Sequence, residues 1–361
     1  MVSVLSVRHT TGEYPVYIQG GIHGSLTTLV ARHCADRVPV IITDETVARL
    51  IPPNLTTLPC LTFPPGEASK TRHQWEELTD AMVALGIGRD GAVIAFGGGV
   101  TGDLAGFVAA TYHRGLPVLH VPTSLLAMID ASIGGKTAVD TPAGKNLVGT
   151  FHQPVAVVID PSVLGSLPPR EFRTGLSEAI KHALIADAAL FSWLGSHGSD
   201  LLSLDSACLE ELVRRCVTIK ATVVEDDEKE GGRRAILNAG HTVAHAIETQ
   251  SSYTISHGEA VAIGLVVECH IAERMGLCER GTATQVADLL AQFQLPVALP
   301  HTFSPDTLLD TMKLDKKNRR GTLRCALVAG IGTMVGDRDE AWTQEVDLPL
   351  MREVVSELRP T

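Results

Sequence analysis

Four short, largely β-branched apolar runs punctuate the first half of the chain: Val38–Ile42, Ala92–Phe96, Val118–Val121 and Val155–Ile159. Each is bounded by Gly, Pro or Asp. A strand that is apolar at nearly every position has no face to offer water, so it must be covered on both sides. That requirement is met by parallel strands between two helical layers. The stretch Thr71–Leu85 has the spacing of an intervening helix, and the alternation predicts an α/β fold. From about Pro168 the pattern changes, and long helical stretches follow at Arg170–Ala186, Cys208–Val224, Ala235–Glu248, Glu259–Arg274 and Thr282–Phe293. At ~150 residues per domain, 361 residues suggest two domains. Pro and Gly cluster around Asp160–Pro169, which sets the expected boundary: an α/β domain over residues 1–165 and a mainly α-helical domain over 166–361.

Net charge narrows the choice of partners. At -11 overall, the chain is a poor binder of nucleic acid or of an anionic membrane surface, although a local basic pocket remains open. Seven cysteines, odd in number and irregular in spacing, read as thiols of a reducing compartment rather than a disulfide framework. The first residues lack a basic flank followed by an apolar run, and no stretch reaches the ~18–20 apolar residues of a membrane span. The expectation is a cytoplasmic protein.

Three groups of residues carry chemistry. The first is Gly97-Gly98-Gly99-Val100-Thr101-Gly102-Asp103, between an expected strand and an expected helix. Glycines there let a backbone approach a pyrophosphate, and a helix N-terminus favours an anion. A Rossmann-like domain is the expectation. No acidic residue lies ~20 positions downstream to hold a ribose, but Asp44, ending an earlier strand, is available. A purely structural glycine turn is the alternative. The second group is a split metal set. In Asn238–His245, read as helical, His241 and His245 share a face one turn apart. His257 opens the next helix, and Glu178 lies on the first long helix of this half. Two histidines and a carboxylate leave open positions on a catalytic ion; any one histidine alone reads sooner as a packed core or surface residue, and it is the set that points to a metal. The third group is cationic: Lys136 and Lys145-Asn146 beside glycines in expected loops, with Lys181, Lys220, Arg234 and Lys316-Lys317. In an acidic chain these point to a small polyanionic substrate.

Gly97–Pro154, Leu167–Lys181, Glu230–His245, His257–Gly264 and Asp315–Lys317 together, in that order, closely resemble the dehydroquinate synthase family. The resemblance implies that Glu178, His241 and His257 ligate zinc or cobalt. It implies that Asp44, Glu67, Lys70, Gly98, Gly99, Val100, Asp103, Thr123, Ser124, Lys136 and Lys145 hold NAD. Asp130, Lys136, Asn146, Lys181, Lys220, Glu230, Arg234, Asn238, His245 and Lys316 match the family's substrate pocket. Arg114 matches an arginine that reaches the neighbouring subunit's substrate phosphate, so the resemblance implies a homodimer. The implied substrate is a small anionic sugar phosphate, 3-deoxy-D-arabino-heptulosonate 7-phosphate, cyclised with loss of phosphate. One of its carbons is oxidised and then reduced again, and net turnover is redox-neutral. Ala239, Ser124 and the tail after Gly332 depart modestly from the family pattern. Relatives that cyclise other sugar phosphates, metal-dependent alcohol or glycerol dehydrogenases, and a non-catalytic nucleotide-binding module are the competing readings.

Overall fold

The computed structural model describes residues 2–314, 323–336 and 341–358. In chain order the first part contains β1 (Ser3–His9), β2 (Gly12–Ile18), α1 (Leu26–His33), β3 (Val38–Asp44), β4 (Cys60–Phe63), α2 (Arg72–Ala84), β5 (Gly91–Gly97), α3 (Gly99–Thr111), β6 (Val118–Pro122), β7 (Lys136–Thr141), β8 (Gly144–Phe151) and β9 (Ala156–Ile159). Seven strands form one sheet in the order β1-β2-β9-β6-β5-β3-β4. β1 and β2 pair antiparallel at one edge, and the remaining pairings are parallel. The four apolar runs are the strands β3, β5, β6 and β9, and they adjoin one another in the sheet.

Their two-sided burial is explicit. Val40, Ile42, Val93 and Ala95 face a core with Leu78 and Met82 of α2 and with Leu104, Phe107 and Val108 of α3. Ile41, Ala92, Ile94 and Phe96 face the opposite core with Leu26, Leu29 and Val30 of α1. At roughly 1.5–3 kcal/mol for each large aliphatic side chain removed from water, these two layers supply most of the drive for this arrangement. The apolar side chains at odd and even strand positions need helices on both faces, which is why the strands show no polar alternation.

The second part is helical: α4 (Pro169–Ala186), α5 (Ala188–Ser196), α6 (Gly198–Leu202), α7 (Ser206–Asp226), α8 (His241–Gln250), α9 (His257–Arg274), α10 (Thr282–Gln292), α11 (Pro305–Leu314) and α12 (Leu348–Glu357). The short strands β10 (Leu323–Cys325), β11 (Val328–Gly330), β12 (Thr333–Met334) and β13 (Gln344–Val346) form two small antiparallel ribbons. Contacts divide the chain into two compact units. One is Met1–Pro168 with Ser206–Glu225, and the other is Pro169–Asp205 with Asp226–Thr361. All but the last residue of α7 thus belongs with the sheet: Glu210 accepts the Gly20 N–H at 2.7 Å, and Glu225 holds the Arg8 guanidinium at 2.9 Å. Among the described residues no helix is long and apolar enough to cross a membrane.

Two expectations need correction. The helix expected over Ala235–Glu248 is broken: Arg233–Asn238 is a short 3-10 turn, Gly240 sits at φ 80°, and α8 starts only at His241. The glycine-flanked lysines lie on a hairpin rather than in loops, because β7 and β8 pair antiparallel from Lys136–Phe151 to Thr141–Gly144.

Candidate active site

Three helices bring one cluster together. Glu178 lies in the middle of α4 and is fully buried. His241 is the first residue of α8. Its position is set from α9, where buried Glu268 accepts the N–H groups of Gly240 at 2.8 Å and Thr242 at 3.2 Å. These are among the amides that a helix start leaves without partners of its own. His257 is the first residue of α9, which Ser256 and Glu259 open as a capping box. Arg170 grips both Glu259 oxygens, at 3.0 and 2.6 Å. One ligand atom from each of Glu178, His241 and His257 falls within a 4.8 Å span. Glu178 Oε1 is 3.8 Å from His241 Nε2 and 3.4 Å from His257 Nε2, and Oε2 pairs with buried Lys181.

The electrostatics of the cluster suit a cation. Burial, then the Lys181 charge, hold the His241 imidazole well below its usual pKa, so it is neutral with a lone pair to give. Its Nδ1 lies 3.1 Å from the Ala239 carbonyl and donates to it, which leaves the Nε2 lone pair for an ion on the side of Glu178. Burial also disfavours charge on His257, but hydrogen bonds and charge from Glu178 and Glu248 outweigh it and raise its pKa to about 10. The pair of carboxylates therefore seeks a positive partner, which a divalent ion would provide in place of that proton. Two imidazoles and a buried carboxylate fit zinc or cobalt and leave coordination positions for a substrate.

The glycine run lies in the unit that carries the sheet. β5 ends at Gly97, Gly98 occupies the N-cap of α3, and among the described residues no side chain caps that helix start. A Cβ on Gly97 would strike Thr101 Oγ1 at 2.3 Å, so the turn itself demands glycine there. One on Gly98 would meet nothing nearer than Ser124 Oγ at 3.5 Å. Thr123 and Ser124 follow β6, and Thr123 N–H donates to Gly97 O at 3.0 Å. Gly98, Gly99, Val100, Thr123 and Ser124 thus sit beyond the carboxyl ends of two adjacent parallel strands, where such sheets bind ligands. The uncapped amides of α3, with no acidic side chain in its first turn, fit a pyrophosphate. Asp44 ends β3, and its Oδ1 accepts the N–H groups of Thr46 and Val47 at 2.9 and 3.0 Å. Buried Lys70 joins Asp103 at 2.5 Å, Asn146 Oδ1 at 2.6 Å and Glu67 at 3.9 Å, while Lys145 reaches Glu67 at 3.7 Å.

The residues expected around the substrate fall in both units. In the sheet-containing unit, Lys220 of α7 is buried and pairs with Asp130 at 2.5 Å. Lys136 is exposed at the start of β7, and Asn146 contacts Lys70 of the expected cofactor group. Arg114 is exposed in a turn where His113 (φ 51°) and Arg114 (φ 70°) are both left-handed. In the helical unit, Arg234 is fully buried, with its N–H on Asp227 at 2.9 Å and Nη1 on the Glu228 carbonyl at 2.5 Å. Asn238 donates to Glu230 at 2.9 Å, and the His245 ring centre is 5.5 Å from that of His241. Lys316 lies outside the described residues. Sequence reasoning passed over three carboxylates: Asp227, which cradles the Gly231, Gly232 and Arg234 amides, Glu268, and Glu248, 3.5 Å from His257. Glu248 had a visible signal, since His241, His245 and Glu248 follow i, i+4, i+7 spacing on one helical face.

Comparison with known proteins defines the fold and the family. A 2-deoxy-scyllo-inosose synthase solved with carbaglucose-6-phosphate, NAD+ and Co2+ superposes with a TM-score of 0.88 and 28% identity, over 98% of this chain and 99% of that one. A 2-epi-5-epi-valiolone synthase from Streptomyces hygroscopicus subsp. jinggangensis 5008, solved with NAD+ and Zn2+, gives 0.85 and 29% over 99% of each chain. The fold is that of the sugar-phosphate cyclases. Residues 60–174 match the 3-dehydroquinate synthase N-terminal family model, and residues 175–318 match the C-terminal one. A 3-dehydroquinate synthase of Pseudoalteromonas translucida (strain TAC 125) is 44% identical over 335 residues, 91% of this chain and 94% of the relative. The chain belongs to the 3-dehydroquinate synthase family.

Proposed function

We propose that the chain converts 3-deoxy-D-arabino-heptulosonate 7-phosphate into 3-dehydroquinate and phosphate, as a phosphorus–oxygen lyase of the shikimate route to aromatic amino acids. The observation that carries the reading is the cluster of buried Glu178 with His241 and His257 in a chain that matches both halves of one family. The 44% identity to a 3-dehydroquinate synthase, against 28% and 29% to cyclases of other sugar phosphates, favours this substrate over theirs.

In this reading residues 1–165, joined by α7, form the NAD-binding domain, and the rest of residues 166–361 forms the domain that binds metal, with substrate residues in each. Glu178, His241 and His257 hold zinc or cobalt. Asp44, Glu67, Lys70, Gly98, Gly99, Val100, Asp103, Thr123, Ser124, Lys136 and Lys145 hold NAD. When bound, NAD supplies a reversible hydride acceptor and the divalent ion supplies Lewis acidity toward the substrate's hydroxyls. Lys136, Asn146, Asn238, His245, Lys316 and Arg114 bind the substrate phosphate. Lys220 and Arg234 bind its carboxylate, with Asp130 holding Lys220, while Lys181 beside Glu178 and Glu230 beside Asn238 complete the substrate pocket. Fixed at both anionic ends, the substrate can use its own phosphate as the base, so the chain's main contribution is positioning. Arg114 acts on the neighbouring subunit's substrate, which makes a homodimer the working unit, in the cytoplasm.

The test is to supply zinc or cobalt, NAD and the heptulosonate phosphate, and to follow phosphate and NADH together. Stoichiometric phosphate and dehydroquinate without accumulating NADH are expected. Absence of phosphate release would refute the substrate assignment. Net NADH from a simple polyol would place the chain among the dehydrogenases.

A further inference from the structure

His257 stands between two carboxylates at its two ring nitrogens. Its Nε2 is 3.4 Å from Glu178 Oε1, and its Nδ1 is 3.5 Å from Glu248 Oε2. Glu248 lies on α8, two turns beyond His241 and on the same face, and its side chain is only 5% exposed. A carboxylate withdrawn from water so far is costly unless it is held against a complementary group. α9 carries a second buried carboxylate toward α8, Glu268, and that one contacts backbone amides at the helix start. Glu248 is instead aimed at the ring of a histidine that belongs to the donor cluster.

We infer that Glu248 is a positioning residue for the metal centre, accepting the Nδ1–H of His257 and so presenting the Nε2 lone pair to the ion. The inference rests on the reading of Glu178, His241 and His257 as ligands. It adds a fourth side chain whose role is to fix the tautomer and the angle of one ligand. Carboxylates behind metal-bound histidines act in this way, and losing one weakens metal binding by roughly 10- to 100-fold.

The experiment uses the full chain with Glu248→Gln and Glu248→Ala. Zinc affinity is measured by competition with a chromophoric chelator at fixed pH, the cobalt-loaded forms by visible absorption, and the metal-free forms by thermal melting. The expected result is a roughly 10- to 100-fold loss of zinc affinity in the alanine variant and a smaller loss in the glutamine variant, which keeps an acceptor oxygen. An altered cobalt spectrum should accompany that loss, and the metal-free melting curves check that each variant is folded. Wild-type affinity and an unchanged cobalt spectrum in both variants would overturn the inference. If either variant folds poorly, long-range 1H–15N spectra of the zinc-loaded wild-type protein decide. A protonated Nδ1 on His257 supports the assignment, and an unprotonated one overturns it. Failure of the wild-type protein itself to bind zinc or cobalt would remove the ligand reading, and this inference with it.

Discussion

Replacing Gly264 by alanine should damage the metal cluster from a distance, without touching any donor atom. Gly264 lies on α9 where that helix crosses the start of α8. A Cβ added there would stand 2.0 Å from the Gly240 carbonyl oxygen, 2.9 Å from its carbon and 3.2 Å from its Cα. An ordinary C···O approach is about 3.3 Å, so the two backbones must separate by roughly 1.3 Å. The obstruction is backbone, and no rotamer change relieves it. Gly240 cannot turn away easily, because its φ of 80° is tied to the start of α8 and its N–H is held by Glu268. Overpacking of this kind costs about 2–3 kcal/mol. For a unit of this size that corresponds to a melting temperature lower by roughly 5–10 °C. Because His241 follows Gly240 directly, the displacement also moves one of the three donors. Misplacement by about 1 Å can cost two orders of magnitude in a function that depends on geometry, so zinc affinity should fall by about 100-fold. Chelator competition and melting curves with and without zinc read both effects. Wild-type zinc affinity together with wild-type stability in Gly264→Ala would refute the reasoning that close α8–α9 packing sets the cluster.

Glu178→Gln should abolish tight zinc binding, and it should also lower metal-free stability by about 3 kcal/mol, since buried Lys181 loses its carboxylate partner; isothermal titration and melting check the two effects separately. Lys220→Ala should reduce kcat/KM for the heptulosonate phosphate by roughly 100-fold through loss of a charge-assisted contact, and near wild-type turnover would count against its place in the pocket. His120, buried on β6, has its pKa lowered to about 4 by burial and by the neighbouring His152. Its unfolded value is about 6.5, so its contribution is complete above pH ~6.5 and is lost as pH falls from there toward 4, by up to about 3 kcal/mol. His120→Gln should therefore show a shallower loss of stability between pH 6.5 and 4 in denaturant titrations, and an unchanged slope would argue against a neutral His120.

The chain reveals by itself whatever depends on neighbours in sequence. β3, β5, β6 and β9 are legible because strands covered on both faces must be apolar at successive positions. The glycine turn at Gly97–Gly102 is legible because Gly97 has no room for a Cβ beside Thr101. His241 and His245 share a face because helical geometry brings positions i and i+4 together. Tertiary structure alone decides the rest. Glu178 meets His241 only because α4, α8 and α9 pack together, with Gly258 and Gly264 allowing backbone approach within one carbon's reach. The break at Gly240 follows from that packing and from Glu268, 28 residues further on, taking amides that a longer helix would have used. α7 reads locally as one more helix of the second half, yet its contacts with β1 and with the loop after β2 assign it to the sheet. The pairing of Lys70 with Asp103 and Asn146 likewise joins residues up to 76 positions apart. Helical and strand periodicities extend over a few residues, whereas a site is made by whichever surfaces the core brings into contact, and that depends on every element at once.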